Sequence, residues 1–442
     1  MNKTLRALVA EGGAYQGYAY AYPHKTAYRP LEPERPLKEV WAGEDKSTLF
    51  LYAHVPFCEM RCGFCNLFTM THPGKNLMTA YLDAMSRQAG AIADALGSSA
   101  QFARLAIGGG TPTFLSVIEM ASLFTLLEEN FHFSSSNIPK AIEASPATVD
   151  DEKIALLKSH GITRVSLGVQ SFSESEVRAL GRAQKTNDVR QALGKLAAAN
   201  FTCLNVDLIY GIEGQTEQSW RRSLDEALEF APQEIYLYPL YVRPLTHLDQ
   251  IGRRASDTRL DLFRVGRNFL LHQGYRQISM RLFRKESYAP PEGPVYCCQE
   301  DGMVGLGPGS RSYTRALHYS SEYAVGRSGV VNVTEDFTRR SRDQFLMADY
   351  GCELELNEQK RRYVLKSLLR NDGLEFEDYA AFFRSEVLND LPQLAALEDE
   401  GLAVSEGGRM KLTAEGLELS DVIGPWLWSE AVRDKMNHFV LR

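Results

Sequence analysis

The chain has 442 residues, 44% of them hydrophobic and 24% charged, and a formal net charge of −7. That is the balance of a globular protein with apolar material for a substantial core, and its length suits a large catalytic domain plus a smaller one. It excludes a membrane span, since no run of about eighteen apolar residues occurs, and gives no general electrostatic reason to bind nucleic acid.

The opening MNKTLRALVAEGG has no long apolar core with a small-residue cleavage site, which argues against secretion. Of seven cysteines, three fall between residues 58 and 65, and Cys297 and Cys298 are adjacent. That is no disulfide framework in a chain of this length, and it fits a reducing cytoplasm.

A tyrosine-rich stretch at 15–28 precedes the first predicted strand. Short apolar, β-branched segments at 49–54, 102–107, 140–143, 164–167, 204–209 and 234–238 then alternate with helical patterns such as 77–96, 118–129, 152–159 and 216–229. The alternation calls for a parallel sheet covered by helices. Six units fall short of a closed eight-stranded barrel, so an α/β fold with an open or partial barrel is expected, its chemistry at the carboxyl ends of the strands. After about residue 345 the style changes. Helices at 360–369 and 395–401, a hairpin at 402–412 turning at Gly407–Gly408, and a further helix resemble a winged-helix module. The expected organisation is an N-terminal extension (1–45), a catalytic domain (46–345) and a C-terminal domain (346–442).

Cys58-Glu-Met-Arg-Cys62-Gly-Phe-Cys65 puts three thiols on one loop after the first strand. Thiolates are the ligands of iron–sulfur clusters, and three on a four-iron cube leave one iron open to substrate. The competing reading is a structural zinc completed by His54. Gly63 is expected to permit a tight bend.

With Tyr52-Ala-His54-Val-Pro56-Phe57 before it, this loop resembles that of the radical S-adenosylmethionine (SAM) enzymes, in the branch of oxygen-independent coproporphyrinogen III oxidases. The likeness runs over residues 15–420 as ordered motifs. It implies a partial (β/α)6 barrel with a small winged-helix-like C-terminal domain, a 4Fe–4S cluster on Cys58, Cys62 and Cys65, and one or two SAM molecules. Tyr52 resembles the family tyrosine lying near cluster and SAM. Gly108-Gly-Gly-Thr-Pro-Thr follows the second strand, and its backbone N–H groups are expected to approach a ligand closely. The resemblance assigns Gly109, Gly110 and Thr111 to SAM. Glu143, ending the third strand, is similar to the carboxylate that accepts from the SAM ammonium. Gln170 and Asp207 resemble the residues holding the ribose, and Arg182 the arginine paired with the SAM carboxylate. The implied chemistry is reductive cleavage of SAM to a 5′-deoxyadenosyl radical, with an electron donor such as flavodoxin or ferredoxin.

One departure bears on the reaction. Where the oxidases carry a further cysteine two positions after the third, this chain has Leu67. Relatives in the branch transfer methyl or alkyl groups with a second SAM, or oxidise or open tetrapyrroles; a second class of function is heme or cluster delivery with little catalysis. Arg243, Arg281 and Arg311, in segments dense in polar and aromatic residues, are candidates to clamp substrate carboxylates such as those of a tetrapyrrole. The Gly305/Gly307/Gly309 run resembles a turn near a second SAM.

Overall fold

The predicted strands all form, each slightly longer than its apolar stretch. In the computed structural model, which describes residues 4–18, 20–132, 138–290 and 302–441, they lie in one open sheet. Its strands are β1 (Arg29–Pro36), β2 (Leu49–Val55), β3 (Phe102–Gly109), β4 (Lys140–Ala144), β5 (Arg164–Gln170), β6 (Cys203–Tyr210), β7 (Glu234–Pro239), β8 (Met303–Leu306), β9 (Arg311–Tyr313), β10 (Leu317–Ser320) and β11 (Met347–Glu353). The order is β1-β11-β10-β9-β8-β2-β3-β4-β5-β6-β7. Strands β2 to β7 are parallel in chain order, as the alternation required, and β8 joins them on the far flank, parallel to β2. Beyond β8 the sheet turns antiparallel through β9 and β10.

Because side chains alternate along a strand, register sorts them into two faces. Leu51, Ala53, Leu105, Ile107, Val165, Leu167, Val206, Leu208 and Leu237 are all buried on one face. Burying a side chain of the Leu or Val type stabilises by about 1.5–3 kcal/mol, and this face takes the connecting helices, among them Lys75–Leu96, Val117–Phe131 and Thr186–Ala198. The opposite face carries Tyr52, Glu143, Arg164, Ser166, Asn205, Asp207, Glu234 and Tyr236, aligned across neighbouring strands.

β1 escapes sequence reading because it contains Pro30, Pro33 and Pro36, which the sheet tolerates since β1 pairs on one side only, with β11. β8 escapes because its glycine, Gly305, masks a short strand that pairs opposite Tyr52.

The chain divides into two units. The larger comprises Arg29–Arg259 and Tyr288–Cys352, with the last three residues; the smaller comprises Met1–Tyr28, Leu260–Ser287 and Glu353–Phe439. The smaller unit contains the predicted hairpin, Ala403–Glu406 with Arg409–Leu412, and the helices Leu356–Leu368, Ala395–Asp399 and Ala414–Glu418. It also takes in the chain's opening. Glu400 accepts from the backbone N–H groups of Leu5 (2.9 Å) and Arg6 (3.0 Å), holding the first helix, Leu5–Gly12, at its N-terminus. Among the described residues no helix is long and apolar enough to cross a membrane.

Candidate functional site

The cysteine loop leaves β2 at Pro56 and is closed where Phe57–Cys58 pairs with Met70–Thr71. Phe64 anchors its middle in an apolar cluster of Leu180, Ile209, Leu240 and Leu248. Beside Phe64, the Gly63 N–H donates to the Leu180 carbonyl (2.9 Å) and the Gly63 carbonyl accepts from Leu248 N–H (2.9 Å). Gly63 is not in the left-handed region. Its role is close approach: a Cβ there would lie 2.8 Å from the Leu180 oxygen. The expected bend is therefore a contact between backbones.

The three thiols each meet a different neighbour. Thr111 Oγ1 lies 3.6 Å from Cys58 Sγ, Arg182 Nη1 lies 3.1 Å from Cys62 Sγ, and Thr69 Oγ1 lies 3.8 Å from Cys65 Sγ. Burial pushes the Cys58 thiol up to about 12, against the lowering effect of the Thr111 hydroxyl, and the other two sulfurs push the same way. Burial also raises Cys62, against the lowering effect of Arg182. Thiolates so disfavoured call for a cationic group among them.

The zinc alternative does not fit. Zinc needs its four donors within about 2.0–2.3 Å of one point, and among the described residues no three His, Cys, Asp or Glu side chains are so placed. His54, buried, places Nε2 2.8 Å from the Phe68 carbonyl, pinning the far end of the loop. A cluster held at three corners suits thiols spread along a loop. Cys203 and Cys352 are free and buried, as expected; Cys297 and Cys298 lie outside the described residues.

The predicted ligand residues arrive at the carboxyl end of the same sheet. The backbone N–H groups of the glycine turn, however, are spent on protein. Gly109 donates to Glu143 Oε2 (2.9 Å), Gly110 to the Val55 carbonyl (2.7 Å) and Thr111 to the Phe57 carbonyl (2.8 Å). The expectation that these N–H groups face a ligand is therefore corrected; what this turn can present is carbonyl oxygen, which accepts. Gly110 is forced by proximity, since its Cβ would lie 2.7 Å from the Phe57 oxygen and 2.9 Å from Cys58 Sγ.

Glu143 is half-buried, and burial lifts its carboxyl to about 7; the Gly109 N–H opposes the rise, Asp207 adds to it and Arg164 opposes it. Asp207 is raised by burial too, against hydrogen bonds from Asn205 Nδ2 (2.7 Å) and Ser166 Oγ (3.2 Å). Gln170 sits at the bulge that ends β5, with φ of 69°. A left-handed backbone is costly for glutamine and marks a position fixed by its surroundings. Arg182 uses Nη2 on the Gly168 carbonyl (3.0 Å) and Nε on Gln184 (2.8 Å), so its fork is aimed between β5 and Cys62. Tyr52 is half-buried on the same face, edge-on to His54 at 6.2 Å between centroids.

Sequence reading missed the polar row beneath these residues. Arg164 Nε donates to Glu234 Oε2 (2.9 Å), its guanidinium lies 6.0 Å from the Tyr236 ring, and Asn205 Nδ2 donates to Ser166 Oγ (2.6 Å). The available signal was a polar residue at every second position of a buried strand.

Of the three candidate arginines, Arg243 and Arg311 belong to the larger unit with the cysteine loop, while Arg281 belongs to the smaller. Arg281 is buried, with Nη2 2.5 Å from Asp421 Oδ2 and its guanidinium over Tyr18 (4.9 Å) and Tyr20 (5.2 Å). Those ties give it a packing role in place of the expected clamp. The Gly305/Gly307/Gly309 run is occupied by protein: Gly307 N–H donates to Gln88 (2.8 Å), and Gly309 lies against the His54 ring.

Residues 52–227 match the radical SAM superfamily. With three thiols, strand-end carboxylates and an open parallel sheet, the chain is a radical SAM enzyme, and membership implies a 4Fe–4S cluster and SAM. It belongs to the branch of the oxygen-independent coproporphyrinogen III oxidases and the heme chaperone HemW. It is 27% identical over 428 residues to the oxygen-independent coproporphyrinogen III oxidase of Salmonella typhimurium, covering 91% of each chain. It is 26% identical over 395 residues to the heme chaperone HemW of Bacillus subtilis, covering 85% of this chain and 98% of that protein. The solved coproporphyrinogen III oxidase (HemN) of Escherichia coli shares the fold at a TM-score of 0.78, with 23% identity and 96% and 98% of the two chains covered.

Proposed function

We propose that this enzyme cleaves SAM reductively at a cluster held by Cys58, Cys62 and Cys65 and acts on an organic substrate of the tetrapyrrole class. The observation that supports it is the meeting of the cysteine loop with the strand ends: Thr111 on Cys58 and Arg182 on Cys62 join the thiols to the residues read as SAM ligands. Cluster and SAM together supply a 5′-deoxyadenosyl radical that abstracts hydrogen.

The chain's own residues bind and orient. Glu143 accepts from the SAM ammonium, a charge-assisted bond that keeps its carboxyl ionised where burial alone would favour the acid. Carbonyls of the Gly109–Thr111 turn accept beside it. Arg182 pairs with the SAM carboxylate, Gln170 and Asp207 take the ribose hydroxyls, and Tyr52 walls the site. We place the protein in the reducing cytoplasm with a flavodoxin- or ferredoxin-like donor, binding one SAM or two.

The test is anaerobic reconstitution with iron and sulfide, then SAM and reductant, with 5′-deoxyadenosine measured by mass spectrometry. Product is expected from the wild type and none from Cys62→Ala. Iron bound without product would overturn the catalytic reading. A heme-delivery role, as for HemW, is the second reading; Leu67, 47% exposed where the oxidases carry cysteine, favours it. Tight heme binding without 5′-deoxyadenosine would establish that role.

A further inference from the structure

Three segments of the larger unit bring an arginine to the cysteine loop. Arg61 lies inside the loop, between Cys58 and Cys62, and its Nη2 donates to the Val325 carbonyl. Arg243 lies on the segment after β7, which is fastened to the loop where Leu248 N–H donates to the Gly63 carbonyl (2.9 Å). Arg311 opens β9 opposite Ser320, and the chain running on from Ser320 carries Tyr323, whose hydroxyl donates to the Asn66 carbonyl (2.9 Å), next to Cys65.

The groups meet at Tyr323. The charges that act on its hydroxyl are Arg311, Cys65, Arg243 and Arg61, with no carboxylate among them. All three arginines are half-buried, so each guanidinium is partly removed from water yet reachable. Two of them lie over aromatic rings, Arg243 over Tyr241 at 4.1 Å and Arg311 over Tyr313 at 6.0 Å. A guanidinium resting on a ring uses its flat face and keeps its N–H edge for a planar acceptor. Gathering like charges costs Coulomb energy that a bound anion offsets. A carboxylate matches the fork in shape and charge.

We propose that Arg61, Arg243 and Arg311, arranged around Tyr323 on the Cys65 side of the cysteine loop, form a subsite that binds a carboxylate of the substrate. It rests on the reading of this loop as the reaction centre, and it names the group that fixes the substrate there. Since Arg61 belongs to the loop itself, occupying the subsite also bears on the thiols that flank it.

The probe is arginine labelling of the reconstituted wild-type protein with phenylglyoxal, followed at each peptide by mass spectrometry, which needs no variant. It is run alone and with coproporphyrin III, its tetramethyl ester, benzene-1,3,5-tricarboxylate or inorganic phosphate. Coproporphyrin III and the tricarboxylate are expected to slow labelling of Arg61, Arg243 and Arg311 together, and the ester is not. Arg243→Gln and Arg311→Gln should each weaken coproporphyrin III binding about tenfold and leave ester binding unchanged. Unaltered labelling with coproporphyrin III bound, protection by the ester equal to that by the acid, or protection by phosphate as strong as by the tricarboxylate would overturn the subsite and leave the tetrapyrrole reading standing. Protection by the tricarboxylate with no porphyrin bound would keep the subsite and end the tetrapyrrole reading. Protection by neither acid would overturn the subsite.

Discussion

Glu143 carries a pH dependence whose sign follows from its environment. Its carboxyl sits at about 7, above its ordinary value of 4.5, because burial disfavours the charge. Between those values the native state holds a proton that the unfolded chain has lost, so stability falls as pH rises from 4.5 through 7. Ligand binding runs the other way if the carboxylate receives an ammonium. SAM affinity in the wild type should rise as pH passes through about 7, while Glu143→Gln should bind weakly with a flat profile; titrations at several pH values check this. Gly110 offers a steric test on the same scale. Gly110→Ala places a methyl 2.9 Å from Cys58 Sγ and 2.7 Å from a backbone oxygen, and should lower iron bound per chain while far-ultraviolet circular dichroism stays unchanged. Residue types and spacing made these positions legible in sequence; the use of the glycine-turn N–H groups was not, because their partners, Glu143, Val55 and Phe57, come from three other places in the chain.

Strands explain why the site is polar on one face only. Along β5 the sequence alternates Arg164, Ser166 and Gly168 with Val165, Leu167 and Val169, and the second set is fully buried. The Arg164–Glu234 pair reaches across β6 to β7, with the two side chains 13% and 6% exposed. Removing one member strands a buried charge at a cost of about 3–5 kcal/mol. Arg164→Leu should therefore lower the urea midpoint substantially. It should also move the pH profile of SAM binding upward, because Arg164 holds down the carboxyls of both Glu143 and Asp207. A lowered midpoint with an unshifted profile would confine Arg164 to a structural role.

On the scale of the whole molecule, charged ties decide where segments distant in sequence belong. Residues 260–287 join the smaller unit through Arg281 on Asp421 and through Arg264 and Arg267 on Glu418, at 2.5, 2.5 and 2.8 Å. Asp421 and Glu418 are buried, so each depends on its arginine. Asp421→Ala should destabilise the protein by about 3–5 kcal/mol, seen as an earlier unfolding transition. Iron bound per chain should be unchanged, because the cysteine loop lies in the larger unit.

By itself the sequence determined the parallel core, β2 to β7, the cysteine loop and the order of the strand-end residues, because hydrophobic alternation and motif spacing are local properties of the chain. Tertiary structure alone decided the rest. It placed β8 beside β2, set Arg281 in a packing role in the smaller unit while Arg243 and Arg311 meet Arg61 at Tyr323, and filled the inward face with the Arg164–Glu234 and Asn205–Ser166 contacts. Each of these depends on register between distant strands or on compensation of a buried charge by a residue far along the chain, and neither leaves a local trace.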